Sequence, residues 1–209
     1  MRKIQFASYK NSKTAFSSLI RTQQYYQGLP NGFWEDSHSE LVFKGLTNEE
    51  WDKIKNLQFG TRQRDQDIFK GYKNSVFFSS SERDGGCRFK RISPKIDNWE
   101  FIEVEIPNEV FQSMFNEALR LEGRLYGWAG IIFAQALGYN IKESWIARLK
   151  LRCSIVLPIR PYFGHFCSEV CKKVAHKGLG NKFSQEAFKE SNSFTNPGKW
   201  KKELTKIFL

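Results

Sequence analysis

Histidine is scarce in this chain. Three residues in 209, His38, His165 and His176, are all the imidazole it has, so a reaction that needs a neutral-pH base has three positions to draw on. The four cysteines, Cys87, Cys153, Cys167 and Cys171, contain no Cys-x-x-Cys knuckle, which removes the commonest zinc-binding spacing. Cys153, His165, Cys167, Cys171 and His176 form a loose group, but Cys167 and Cys171 stand at a helical interval. No Gly-Lys-Ser/Thr phosphate loop occurs, and Gly85-Gly86 after Asp84 read as a hairpin turn. An RNA-binding aromatic strand pair is missing too. The expectation is a chain with no cofactor and no metal. The longest apolar-rich stretch, Trp128 to Leu137, is too short to cross a bilayer, and the first ten residues hold no apolar signal region. That reading expects no transmembrane segment, no signal peptide, a cytoplasmic protein, and reduced thiols.

Acidic residues are absent from Met1 to Trp34, which carries Arg2, Lys3, Lys10, Lys13 and Arg21. The far end holds Lys182, Lys189, Lys199, Lys201, Lys202 and Lys206. With a formal charge of +11, basic ends favour contact with an anionic polymer (nucleic acid or cell wall) or an acidic membrane surface, set against plain solubility. Nineteen Phe and 40% hydrophobic residues indicate a folded chain with an aromatic core rather than disorder. Its length suits one domain, 1–209.

Alternation and turn residues predict strands at Lys3–Ser8, Ser37–Phe43, Ser75–Ser80, Cys87–Ile92 and Trp99–Ile106, the third and fourth as a hairpin. On Ser37–Phe43, His38, Glu40 and Val42 share one face, and Ser39, Leu41 and Phe43 the other. Helices are predicted over Lys13–Tyr25, from a Thr47/Glu50 capping box through Leu57, from an Asn108 cap to Leu121, and over Trp128–Leu137. A further strand is predicted at Ser154–Ile159. The last predicted helix, Ser168–Lys177, turns Val170, Cys171 and Val174 inward and Lys172, Lys173 and Lys177 outward, and closes at Gly178. Strands come first and helices later, which defines α+β: an antiparallel sheet packed against helices.

Cys167 stands at the start of that helix. A helix N-terminus stabilises a thiolate through its free N–H groups and partial positive charge. Backbone N–H groups there, at Ser168 and Glu169, also suit an oxyanion. A cysteine nucleophile needs a base, and the base an orienting group. His38 sits on a strand and suits the base. Glu40, two residues on, is the favoured third member, with Ser79 or Ser80 on a neighbouring strand as alternatives. His165 is the other imidazole near Cys167, but a short local pair gives poor attack geometry. His176, late in the helix, suits the C-terminal dipole. The bland reading of Cys167, and more so of Cys171, is a small buried hydrophobe.

Four segments carry a resemblance. They are Ser37-His38-Ser39-Glu40-Leu41-Val42-Phe43; Phe78-Ser79-Ser80-Ser81-Glu82-Arg83-Asp84-Gly85-Gly86-Cys87-Arg88-Phe89-Lys90; Leu125-Tyr126-Gly127-Trp128-Ala129-Gly130; and Phe166-Cys167-Ser168-Glu169-Val170-Cys171. In this order the chain resembles the circularly permuted papain-like (NlpC-type) enzymes, in the phage and bacterial versions related to YiiX-type amidases. In those enzymes histidine precedes cysteine. The matching motifs are Ser-His-x-Glu, Ser-Ser-x-x-x-Asp-Gly-Gly-Val-Arg, Tyr-Asp-Trp-x-Gly and Phe-Cys-Ser-Glu. Gly127 stands where the third has Asp, and Cys87 where the second has Val. The likeness spans 37–178. Residues 45–74 are longer and more charged than the family pattern, an expected insertion or flap, and 181–209 are expected as a basic C-terminal extension.

The resemblance implies a permuted papain-like fold and a thiol hydrolase of peptidase or amidase type, phage-associated as the alternative to cytoplasmic. Cys167 is the implied nucleophile, His38 the base and Glu40 the orienting group, with Ser79, Ser80, Tyr126 and Trp128 as candidates for the substrate groove. The substrate is then a peptidoglycan peptide, another peptide-like amide, or a lipid acyl group. Two other readings stand beside it: a lipid acyltransferase or deacylase of the same fold, and a non-enzymatic basic module that binds nucleic acid or a virion partner.

Overall fold

The computed structural model describes residues 1–10, 15–26, 28–55, 57, 75–81, 84–90, 98–127, 166–183 and 196–209. Five strands, β1 (Arg2–Lys10), β2 (Asp36–Lys44), β3 (Ser75–Ser81), β4 (Gly86–Lys90) and β5 (Trp99–Ile106), form an antiparallel sheet in the order β4-β3-β2-β1-β5. Helices α1 (Ala15–Tyr26), α2 (Asn48–Lys55), α3 (Asn108–Leu121), α4 (Cys167–Phe183) and α5 (Pro197–Phe208) complete the described elements. The class is α+β. The predicted helix Trp128–Leu137 and strand Ser154–Ile159 lie outside the described residues.

Strand alternation divides the sheet's side chains between two faces. Ile4 and Phe6, Leu41 and Phe43, Val76 and Phe78, and Cys87 and Phe89 enter the main core. There they meet Phe111, Met114 and Phe115 of α3, Val170, Cys171 and Val174 of α4, and Trp200 and Leu204 of α5. The Phe43 ring stands edge-on to both Phe111 and Phe115, with centroids 5.5 Å apart in each pair, a favoured aromatic geometry. Residues of the other parity, Ala7, Val42 and Phe77, gather with Trp99 in a smaller cluster. His38 and Glu40 share the parity of Val42.

The β2–β3 ladder runs from Lys44↔Ser75 to Leu41↔Phe78, whereas β3–β4 pairing continues to Ser81↔Gly86. β2 therefore parts from β3 just where Ser39 and Glu40 stand. The Ser79 hydroxyl takes up the Ser39 carbonyl at 2.9 Å, and this satisfies one backbone group that the ladder no longer pairs.

Several expectations need correction. The helix at Cys167 does not close at Gly178 but continues to Phe183. Gly178 is a packing residue: a Cβ there would lie 2.3 Å from Met114 Cγ and 2.8 Å from the Val110 carbonyl oxygen, so its lack of a side chain lets α4 approach α3. His176 is consequently a mid-helix residue, exposed rather than set at the C-terminal dipole. Lys172, expected outward, is completely buried, with its ammonium 3.4 Å from Glu203 of α5. Asn108 does not cap α3: Pro107 holds that position, with no side-chain cap. Residues 45–74 are not wholly a flap. Their described part contains α2, whose Ile54 is buried in the core and whose Glu50 closes the capping box with Thr47 and pairs with Arg2 at 2.8 Å. Nor is 181–209 wholly an extension. Asn196 caps α5 by accepting from the Lys199 N–H at 2.8 Å, Pro197 opens the helix, and Trp200 and Leu204 are core.

Candidate active site

Cys167 is the first residue of α4 and is 5% exposed. His38 projects from β2, the central strand, and is half-buried. The two side chains are hydrogen-bonded. His38 Nε2 also meets Glu40 Oε1 at 2.9 Å. Glu40, 1% exposed, thus touches the same imidazole that bonds the thiol.

Charge is divided unevenly in this pair. Burial opposes the thiolate of Cys167. The charge of His38, its hydrogen bond, and the N–H groups of Ser39 and Ser168 outweigh burial and hold the thiol below its usual range. Burial likewise opposes the charged form of His38, but the Cys167 thiolate and the Glu40 carboxylate raise the ring to about 9. Both directions favour the charged pair, thiolate with imidazolium, over the neutral one. The Ser39 N–H is available because β2 has parted from β3, and the Ser168 N–H because the first turn of a helix has no internal acceptor for it.

The other described cysteines behave differently. Burial pushes Cys171 well above the usual thiol range, although it sits one turn along the same helix. Burial likewise pushes Cys87 up to about 12.

Beyond Glu40 the polar chain continues. Lys90 of β4 reaches Glu40 Oε1 at 2.9 Å and Asp84 Oδ2 at 2.8 Å, and Asp84 also accepts from the Ser81 hydroxyl. Burial works against Glu40 as an anion, yet Lys90 and His38 together hold its carboxyl below the usual range. Trp99 forms an aromatic wall beside the base, its ring edge-on to His38 at 6.4 Å and in contact with Tyr9, Phe77 and Phe101.

The structure brings Cys167, His38, Glu40, Ser168 and Ser79 together. Ser79 Oγ lies 3.3 Å from His38 Nε2, farther than Glu40. The Ser80 side chain bonds Cys87, its partner across the β3–β4 ladder. Glu169 lies in the first turn of α4, 9% exposed. Tyr126 is held against the β3–β4 turn through its N–H to the Gly85 carbonyl at 3.3 Å. Trp128, His165 and Cys153 lie outside the described residues. Sequence reasoning missed Lys90, Asp84 as its partner, and Trp99. Lys90 was legible in part: Cys87 and Phe89 point into the core, so alternation sends Lys90 to the face of Glu40.

Among the described residues no group of three metal-ligating side chains occurs, and no helix is long and apolar enough to cross a membrane. Comparison of the chain with protein-family models, curated proteins and solved structures finds no match.

Proposed function

We propose that this chain is a cysteine-dependent hydrolase of amide or ester carbonyls with a permuted papain-like fold. The observation that carries the reading is the relay Cys167–His38–Glu40, with the thiol drawn down and the imidazole drawn up. The histidine-first order, the nucleophile at a helix start and the antiparallel sheet agree with it.

In the proposed reaction the Cys167 thiolate adds to the carbonyl carbon, and the carbonyl π pair moves to oxygen. Collapse of that oxyanion breaks the bond to the leaving group, which takes the His38 proton. A thioester on Cys167 and a neutral His38 remain. His38 then removes a proton from water, and the resulting attack expels the Cys167 thiolate and releases the acid. Glu40 keeps the ring oriented and balances its charge throughout. Lipid acyl transfer would share the first half and differ in the acceptor, whereas a peptide-like amide needs only water.

The test is acyl-enzyme capture. Incubation with an activated ester such as p-nitrophenyl acetate, followed by acid quench and peptide mass mapping, is expected to place an acetyl group on Cys167. Cys167→Ala should eliminate both that adduct and the burst of p-nitrophenol. An equal burst from parent and variant would refute the nucleophile.

A further inference from the structure

We propose that Lys90 is a positioning residue of this site, which fixes the carboxylate that orients His38 by bridging Glu40 and Asp84. The inference rests on the reading of Cys167 and His38 as the reacting pair.

Glu40 Oε1 serves two donors, His38 at 2.9 Å and Lys90 at 2.9 Å. Its other oxygen, Oε2, is buried and finds no hydrogen-bond partner among the described residues. The carboxylate is therefore held through one atom only. One of its two restraints is the imidazole, which must itself be held still. Lys90 supplies the independent restraint. It is 12% exposed along its side chain and is anchored at its far side by Asp84, 2.8 Å away. Asp84 is in turn fixed to Ser81 through the hydroxyl and the Asp84 N–H. The hairpin thus reaches across β3 to set the geometry of a residue on β2. An exposed lysine on a flexible stem would do this poorly, because holding it costs side-chain entropy. Burial between two carboxylates removes that freedom once, at folding.

The titratable groups around Lys90 come from three elements. Glu40, with His38 beyond it, stands on β2, Asp84 in the β3–β4 turn, and the Cys171 thiol on α4. Removing the cation makes Glu40 easier to protonate, because its burial is then less compensated. A protonated Glu40 gives His38 less support as a cation, and a weaker cation gives less support to the thiolate. The midpoint for Cys167 ionisation must then rise. A lysine that merely held the hairpin to the sheet would affect unfolding and leave that midpoint alone.

The experiment is the pH dependence of Cys167 alkylation by iodoacetamide, read by peptide mass mapping, in the parent, Lys90→Met, Lys90→Arg and His38→Ala. Lys90→Met is expected to raise the midpoint by about one unit, which is roughly a 10-fold slower reaction below it, while Lys90→Arg stays near the parent. A parental midpoint in folded Lys90→Met, with His38→Ala still shifted, overturns the role of Lys90 alone. A shifted midpoint in Lys90→Arg equal to that of Lys90→Met overturns it too, because the cation is then not what matters. An unshifted His38→Ala removes the reacting pair itself. If Lys90→Met does not fold, Asp84→Asn decides by the same readout: a raised midpoint supports the bridge and an unchanged one overturns it.

Discussion

Cys167 and Cys171 lie one turn apart on one helix and are both buried, yet their thiols are driven in opposite directions. Position relative to the helix start and to His38 makes the difference, not burial. Iodoacetamide at neutral pH is therefore expected to modify Cys167 ahead of Cys87 and Cys171 in the folded protein, with peptide mapping as the check. The same pair sets the expected pH profile of hydrolysis. His38 is raised, so its proton is present below about 9 and lost above. Cys167 is lowered, so its thiolate persists below the usual thiol range and is lost only when pH falls through that depressed value. kcat/KM should be bell-shaped, with an alkaline limb near 9 that belongs to the coupled pair. Glu40→Gln removes an anion that raises His38, so the alkaline limb should move to lower pH. An unmoved limb would separate Glu40 from the base.

Two glycines on α4 differ in what surrounds them. At Gly178 an added methyl would meet the Val110 carbonyl oxygen and Met114. Alanine raises intrinsic helix stability by up to about 1 kcal/mol, but a backbone oxygen cannot step aside as a side chain can. Gly178→Ala is expected to destabilise by about 1–3 kcal/mol in urea unfolding through overpacking. At Gly180 the nearest atoms belong to the exposed His176 ring, at 3.3 Å. Gly180→Ala should be neutral or stabilising. The sequence could not separate these cases, since Gly near the end of an amphipathic stretch reads as a stop. Only the approach of α3 reveals Gly178 as a contact. Local signals did find the five strands, the Thr47/Glu50 box and the parity of His38 with Glu40, because alternation and caps act over a few residues. The parting of β2 from β3 at Ser39, which directs an N–H at the nucleophile, depends on strand pairing and leaves no local mark.

Across the molecule, both chain ends support the strand that bears His38. Gln24 of α1 donates to the Trp34 and Asp36 carbonyls at 2.9 and 2.6 Å and accepts from the Gly198 N–H at 2.6 Å. Lys201 of α5 reaches Asp36 at 3.3 Å and the Gly32 carbonyl at 2.7 Å. The basic ends thus spend part of their charge internally: Arg2, Lys3, Lys10 and Lys201 all pair with carboxylates. These lysines and arginines are therefore less free to meet an anionic partner than their number suggests. Trp200, whose indole packs edge-on to Phe6 at 5.8 Å, should cost about 3–5 kcal/mol on truncation to alanine, measured by urea unfolding. The most direct test of the central claim is the pH midpoint of Cys167 alkylation in the parent against His38→Ala. The account predicts a parental midpoint below the ordinary thiol range and one at or above that range in the variant. Coincident midpoints in both proteins, at or above the ordinary thiol value, would contradict it.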